Sequence, residues 1–243
     1  MAKQNAITFN ALAVENECYK VGKKMPNGRP AGIIVHSTGA NNPNLWRYVD
    51  APEICGENPY GTHWNTFRPI GANGKPTQIC CHAFIGKDKD GEVRAAKLLP
   101  WDMCCWNCAS GSKGSYNWNP AYIQFEICED GLDDPQYFKA AFTLAARLCA
   151  RLMRNYDIPI ENVISHHEAY LRGYASNHID PEHWLKKFGK DMDWFRKLVL
   201  ANGDHEPPKQ FRVTGTKLVQ QSALNQAQGQ LKALGFEVAV QEV

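Results

Sequence analysis

Apolar residues along this chain change period in a way that separates strands from helices. Gly32-Ile33-Ile34-Val35-His36 is a β-branched apolar block ending on a polar residue and a Ser-Thr-Gly turn. Such an unbroken run predicts a central strand buried on both faces, which delivers His36 to its C-terminal edge. Residues 82–86 and 92–97 read as two further strands joined by the turn Lys87-Asp88-Lys89-Asp90-Gly91. In residues 121–128 the alternation puts Gln124 and Glu126 on one face. Residues 162–165 predict a short fifth strand that ends at His166.

A period of three to four residues takes over between these strands. Phe138, Phe142, Ala145, Leu148, Leu152 and Tyr156 form one apolar stripe, behind Asp134 as N-cap and Pro135 at the first helical position. A second helix is predicted from Asp180 as cap and Pro181, through Trp184, Phe188, Phe195 and Leu198, to about residue 201. Strands interleaved with amphipathic helices predict an α/β fold, a sheet covered by helices.

The pattern fails in two places. Residues 37–78 are rich in Asn, Pro and Gly, and a connection this long marks a functional loop or an insertion. Residues 201–210 are polar with a Pro-Pro pair and read as a linker. The chain is therefore divided into a main domain (1–200), this linker, and a tail (211–243) with a strand–helix–strand pattern. A βαβ unit of that size has a marginal core and needs either a partner or docking on the main domain; its expected role is to bind the substrate surface or to form a homodimer.

Composition narrows the class without naming a reaction. In 243 residues, 44% hydrophobic content describes a packed globular protein, and a formal charge of +2 without a Lys/Arg run gives no push towards nucleic acid. No stretch of about eighteen apolar residues occurs, so membrane insertion is not expected. The N-terminal segment lacks the apolar core of a secretory signal, which predicts synthesis in the cytoplasm. Nine cysteines include one CxxC, Cys105 to Cys108, without a second knuckle. In a reducing compartment they are expected to be small buried hydrophobes rather than zinc or redox ligands.

The histidines carry the chemistry. His36 and His166, each behind an apolar strand, and Asp180 at a helix start can converge at one sheet edge. Taken singly, each has a bland reading as a core histidine or a helix cap. Two neutral imidazoles and a carboxylate make a first shell for Zn²⁺ that leaves a fourth position open for a water. Glu126, next to Phe125, supplies a candidate acid/base in an apolar setting, and His178, two residues before Asp180, a candidate oxyanion donor. His167 is the rival of His166 for the ligand place; neighbouring strand residues point to opposite faces, so only one of the two can enter the site. His63, Trp64, His82, Trp101 and Trp106 are the candidates for a substrate groove, while His183 is expected at the surface.

These residues lie in motifs that run in order through residues 30–200. They include Gly32-Ile33-Ile34-Val35-His36-Ser37-Thr38-Gly39, Tyr60-Gly61-Thr62-His63-Trp64-Asn65 and Cys81-His82-Ala83-Phe84-Ile85. Leu99-Pro100-Trp101, Ile123-Gln124-Phe125-Glu126-Ile127-Cys128, Ile164-Ser165-His166 and Ala175-Ser176-Asn177-His178-Ile179-Asp180-Pro181 follow. On them the chain resembles the zinc-dependent N-acetylmuramoyl-L-alanine amidases related to peptidoglycan recognition proteins and to short phage lysozyme-amidases.

The resemblance implies a central mixed β-sheet flanked by α-helices. It implies His36, His166 and Asp180 as zinc ligands, Glu126 as acid/base, and His178 where many members place an oxyanion-stabilising lysine. The implied substrate is peptidoglycan, cut between N-acetylmuramic acid and L-alanine. A bacteriolytic endolysin released through a holin-type pore fits a cytoplasmic origin; an amidase that recycles muropeptides in the cytosol, or a non-catalytic muropeptide-binding protein of the same fold, is the alternative. The chain departs from the family at Trp106-Asn107-Cys108-Ala109, where a histidine is common at the second position, and at Cys81, where some relatives have tyrosine.

Overall fold

A computed structural model describes residues 8–67 and 69–203, all within one folded unit, Met1–Glu206. Its six strands are β1 (Thr8–Asn10), β2 (Gly32–Ser37), β3 (Ala83–Lys87), β4 (Val93–Lys97), β5 (Tyr122–Ile127) and β6 (Val163–Ser165). They form one mixed sheet in the order β1-β4-β3-β5-β2-β6, antiparallel only between β3 and β4. The helices are α1 (Glu17–Val21), α2 (Pro52–Cys55), α3 (Pro135–Tyr156), α4 (His166–Leu171), α5 (Glu182–Lys187) and α6 (Met192–Gly203). The α/β fold with a mixed central sheet is the one expected; the tail and most of the linker lie outside the described residues.

Alternation along the strands assigns the two faces. Ile33, Val35, Ile123, Phe125 and Ile127 pack under α3, in a core that also holds Phe142, Trp184 and Phe195. Phe142 lies 4.6 Å from the Phe138 ring and 5.2 Å from Trp184, centroid to centroid. Truncating it to Ala would cost about 3–5 kcal/mol. The intervening residues His36, Gln124, Glu126 and Phe84 share the opposite face.

α3 begins as its sequence predicts, with the Asp134 carboxylate accepting from the Gln136 and Tyr137 N–H groups and Pro135 in the first turn. The second predicted helix does not run through. Gly189 adopts a left-handed φ of 64°, which ends α5, and the Asp191 side chain caps a new helix by accepting from Trp194 N at 2.7 Å. Asp180 is no cap either: it is joined to Pro181 by a cis peptide, and Pro181 takes the N-cap place of α5 without a side-chain bond.

The long loop is less empty than its composition suggests. It contains a 3₁₀ turn, Leu45–Arg47, and α2. Leu45, Val49, Ala51 and Cys55 are buried in a second core that includes Phe84. β1 and α1 are not foreshadowed by the hydrophobic pattern, because three to five residues are too few to reveal a period.

Candidate active site

β2 and β5 run parallel with His36 opposite Glu126 in the ladder, so both side chains emerge side by side on the face away from α3. His36 is buried, 1% exposed. The third member comes from the strand–helix junction. β6 stops at Ser165, whose hydroxyl accepts from Glu168 N while Glu168 caps the Ser165 N–H in return. His166 is therefore the first residue of α4, not the last of a strand. A helical step of about 100° turns His167 away, and its Nδ1 meets Glu182 Oε2 at 3.1 Å. The two histidines part company because a helix starts between them, not because strand residues alternate.

Asp180 reaches the same point from the segment before α5, its backbone carbonyl accepting from His166 N at 3.1 Å. His36 Nδ1 lies 3.0 Å from Asp180 Oδ2 and 3.1 Å from His166 Nδ1. His166 Nδ1 lies 3.4 Å from Asp180 Oδ1. One candidate ligand atom from each of the three lies within 4.8 Å of the others. Each ring uses its remaining nitrogen elsewhere, His36 Nε2 on Gln124 Oε1 at 3.1 Å and His166 Nε2 on Ser176 Oγ at 3.3 Å. Three acceptors converging in a buried place repel one another unless a cation or a proton sits among them. Two imidazoles held by outer hydrogen bonds, plus a carboxylate, suit Zn²⁺ in this role.

Without a metal, the cluster polarises itself. Burial works against a charge on His36, but the Asp180 contact and the nearby Glu126 outweigh it and hold the ring above its ordinary pKa. For His166 burial prevails, and its pKa falls. Asp180, despite burial, is held well below the usual carboxylate range by hydrogen bonds to both histidines. Burial pushes Glu126 up to about 7. Its Oε1 accepts from Asn107 Nδ2 at 2.7 Å, and its Oε2 is buried without a partner among the described residues. Asn107 thus holds the carboxylate from one side.

These groups line a cavity of about 440 Å³ whose apolar wall comes from Tyr48, Trp64, Ile79, Phe84 and Trp106. His178 stands on its rim, 62% exposed, stacked on His166 with ring centroids 4.8 Å apart and its Nδ1 3.9 Å from Asp180 Oδ1. Of the five groove candidates, Trp64 and Trp106 lie in this wall. The other three groove candidates are not among the lining residues. His82 is fully buried, with Nε2 on the Met103 carbonyl at 2.8 Å and Nδ1 accepting the Gln124 backbone N–H at 3.0 Å. It serves the sheet from below. Trp101 stacks on His82 at 6.1 Å, and His63 faces Asp50 at 3.4 Å. His183, expected at the surface, points inward: its Nε2 is 2.9 Å from the buried Glu129.

All nine cysteines are buried as free thiols and none lines the cavity. Burial pushes Cys80, Cys81, Cys105 and Cys128 far up and Cys108 to about 11. Buried thiols shifted in this direction carry little thiolate, which disfavours a cysteine nucleophile. The sequence reading missed Asn117, Ser176 and the bond from Asn107; small amides and hydroxyls carry no periodic signal. No helix among the described residues is long and apolar enough to cross a membrane.

Residues 26–183 match a family profile described as N-acetylmuramoyl-L-alanine amidase. No curated protein gives a significant match. Among solved structures, the chain is similar to the hydrolase AmiA of Staphylococcus aureus in complex with its ligand, with 22% identity and a TM-score of 0.51 over 74% of this chain and 78% of that one. A mutant form of PlyL gives 23% and 0.52 over 79% and 97%. The PlyG catalytic domain gives 23% and 0.50 over 83% and 99%. At these identities the structures speak for the fold.

Proposed function

The chain belongs to the N-acetylmuramoyl-L-alanine amidase family, and from that premise we propose that it hydrolyses the amide between the lactyl group of N-acetylmuramic acid and L-alanine in peptidoglycan, using Zn²⁺ held by His36, His166 and Asp180. The observation that carries this reading is the convergence of those three side chains beside Glu126 in one cavity. Bound there, Zn²⁺ supplies a Lewis acid that polarises the carbonyl and acidifies the attacking water.

The protein's own groups account for the protons. Glu126 accepts one from the water as its oxygen bonds to the lactyl carbon. It then hands that proton to the alanine nitrogen as the C–N bond breaks, leaving a carboxylic acid and a free amine. Burial raises the Glu126 carboxyl above the ordinary carboxylate range, the direction that suits a group which takes up a proton and returns it. His178 donates a hydrogen bond to the carbonyl oxygen as it gains charge, and Trp64 and Trp106 offer flat apolar faces to the saccharide or its peptide.

Metal analysis beside a digest of purified cell wall tests the reading. It requires about one Zn²⁺ per chain, release of new L-alanine amino termini without new reducing sugar ends, and loss of both on chelation. Tight wall binding by the zinc-loaded protein without new amino termini would show a binding protein instead. Inactivation by thiol alkylation with indifference to chelators would point to a cysteine hydrolase.

A further inference from the structure

Beneath His36 lies a chain of hydrogen bonds whose direction is set by backbone groups. Asn117, 1% exposed, receives the N–H of Asn107 at 3.1 Å and of Cys108 at 3.3 Å on its Oδ1. Its Nδ2 donates to the Ala109 carbonyl at 2.8 Å. Backbone N–H groups only donate and carbonyls only accept, so the amide of Asn117 cannot be turned round. The same Oδ1 faces Gln124 Nε2 at 2.8 Å, which must therefore be the donor. That leaves Gln124 Oε1, 3.1 Å from His36 Nε2, as an acceptor that requires a proton on the ring nitrogen. Gln124 is fully buried, and turning its amide round would set its oxygen against Asn117 Oδ1 at 2.8 Å.

We infer that Gln124 and Asn117 are positioning residues that fix the His36 tautomer, keeping the proton on Nε2 and presenting Nδ1 to the metal. The inference rests on the zinc-ligand reading above and adds to it the atom used and the residues that impose it. The neutral Nδ1–H form of His36, which Asp180 at 3.0 Å would otherwise favour, is excluded by the relay. One residue, Asn117, governs both halves of the strand-borne chemistry. It holds His36 through Gln124, and it fixes the backbone of Asn107, whose side chain holds Glu126.

Long-range ¹H–¹⁵N spectra of the histidine rings in the metal-free wild type, taken where His36 is neutral, read the tautomer directly. A proton on Nε2 is expected; a neutral ring protonated on Nδ1 overturns the inference, whatever any variant does. Zinc affinity, measured against a competing chelator, gives the second reading. Gln124→Met keeps the volume and removes both polar contacts, and is expected to weaken Zn²⁺ binding by about 10–100-fold. Affinity within threefold of wild type in a folded Gln124→Met protein also overturns it. A wild type that binds no Zn²⁺ defeats the zinc reading alone, since the tautomer is still measured on the metal-free protein.

Discussion

The candidate site has two halves held in different ways. His36, Gln124 and Glu126 ride on β2 and β5, where a parallel ladder sets their spacing and the sheet core lies directly behind them. His166, Ser176, His178 and Asp180 come from a segment with little regular structure beyond the short α4. That segment is tied down by side chains. Ser165 Oγ donates to Glu182 Oε1 at 2.6 Å, His167 meets the other oxygen of Glu182, and His183 meets Glu129. Arg196 closes the rear with a bidentate pair on Glu168, both contacts at 3.0 Å. Backbone hydrogen bonds place one half; charged and hydroxyl side chains place the other. The first should yield only to changes in the site groups themselves, the second also to changes several residues away.

The largest effect is expected at the junction of the two. His166→Ala should lower zinc affinity by more than about 10–100-fold, the usual cost of losing an outer hydrogen bond alone, whereas His167→Ala keeps the metal. Equilibrium dialysis of both proteins decides this, and zinc retained by His166→Ala but lost by His167→Ala would transfer the ligand place to His167.

Next comes Glu126→Gln on the strand side. Turnover should fall by about 10²–10⁴-fold with zinc content unchanged, because a proton carrier is lost and no ligand is. The same variant has a stability signature in the metal-free protein. The unfolded chain releases this proton near its ordinary carboxylate pKa of 4.5, while the folded protein holds it up to about 7. Wild type therefore loses stability as pH rises through that window. Chemical denaturation at pH 8 should find Glu126→Gln more stable by about 1–3 kcal/mol, the advantage vanishing near pH 4. Equal stability at both pH values would contradict the burial of the carboxylate.

The two halves were unequally legible in the sequence. The strand half could be read because β-branched alternation gives both the element and the face, so Gln124 and Glu126 fall together with His36 across the ladder. The segment around His166 offered a short apolar strand followed by clustered polar residues. That pattern allowed His166 and Asp180 to converge but left His167 as a rival, and strand alternation was the wrong reason for separating the two histidines, since a helix begins there. The bystanders proved least legible. His82 looked like a groove residue and is buried, whereas His183 looked exposed and holds Glu129. Which histidine faces solvent depends on contacts more than forty residues apart in sequence, such as His82 with Gln124, and local pattern does not carry these.

A smaller, global effect should come from His82. Burial lowers its pKa to about 4, so the folded protein refuses a proton that the unfolded chain accepts below about 6.5. Stability should fall as pH drops from 6.5 to 4, by about 2–3 kcal/mol from this residue alone, with none of that loss above pH 7. Urea titrations of wild type and His82→Gln across this range should show the variant weaker at pH 7 yet flatter with pH. Parallel slopes would remove His82 as a source of acid sensitivity.

The smallest effect tests the separation of the halves most directly. Glu182 lies two residues beyond Asp180 and binds both Ser165 and His167, so Glu182→Ala frees the segment that carries Asp180 without touching a ligand. Losing one charge-assisted and one hydroxyl hydrogen bond there should cost about 1–2 kcal/mol in positioning. That corresponds to zinc affinity lower by about 5–30-fold. The strand half should not respond: in the metal-free variant the ring nitrogens of His36 should keep their wild-type ¹⁵N shifts, since Gln124 and Asn117 are anchored elsewhere. A weakened metal site with an unchanged His36 would show a ladder-built half and a side-chain-built half meeting only at the metal. A shifted His36 would instead show that Asp180 orients the ring as strongly as Gln124 does, and the division between the halves would fail.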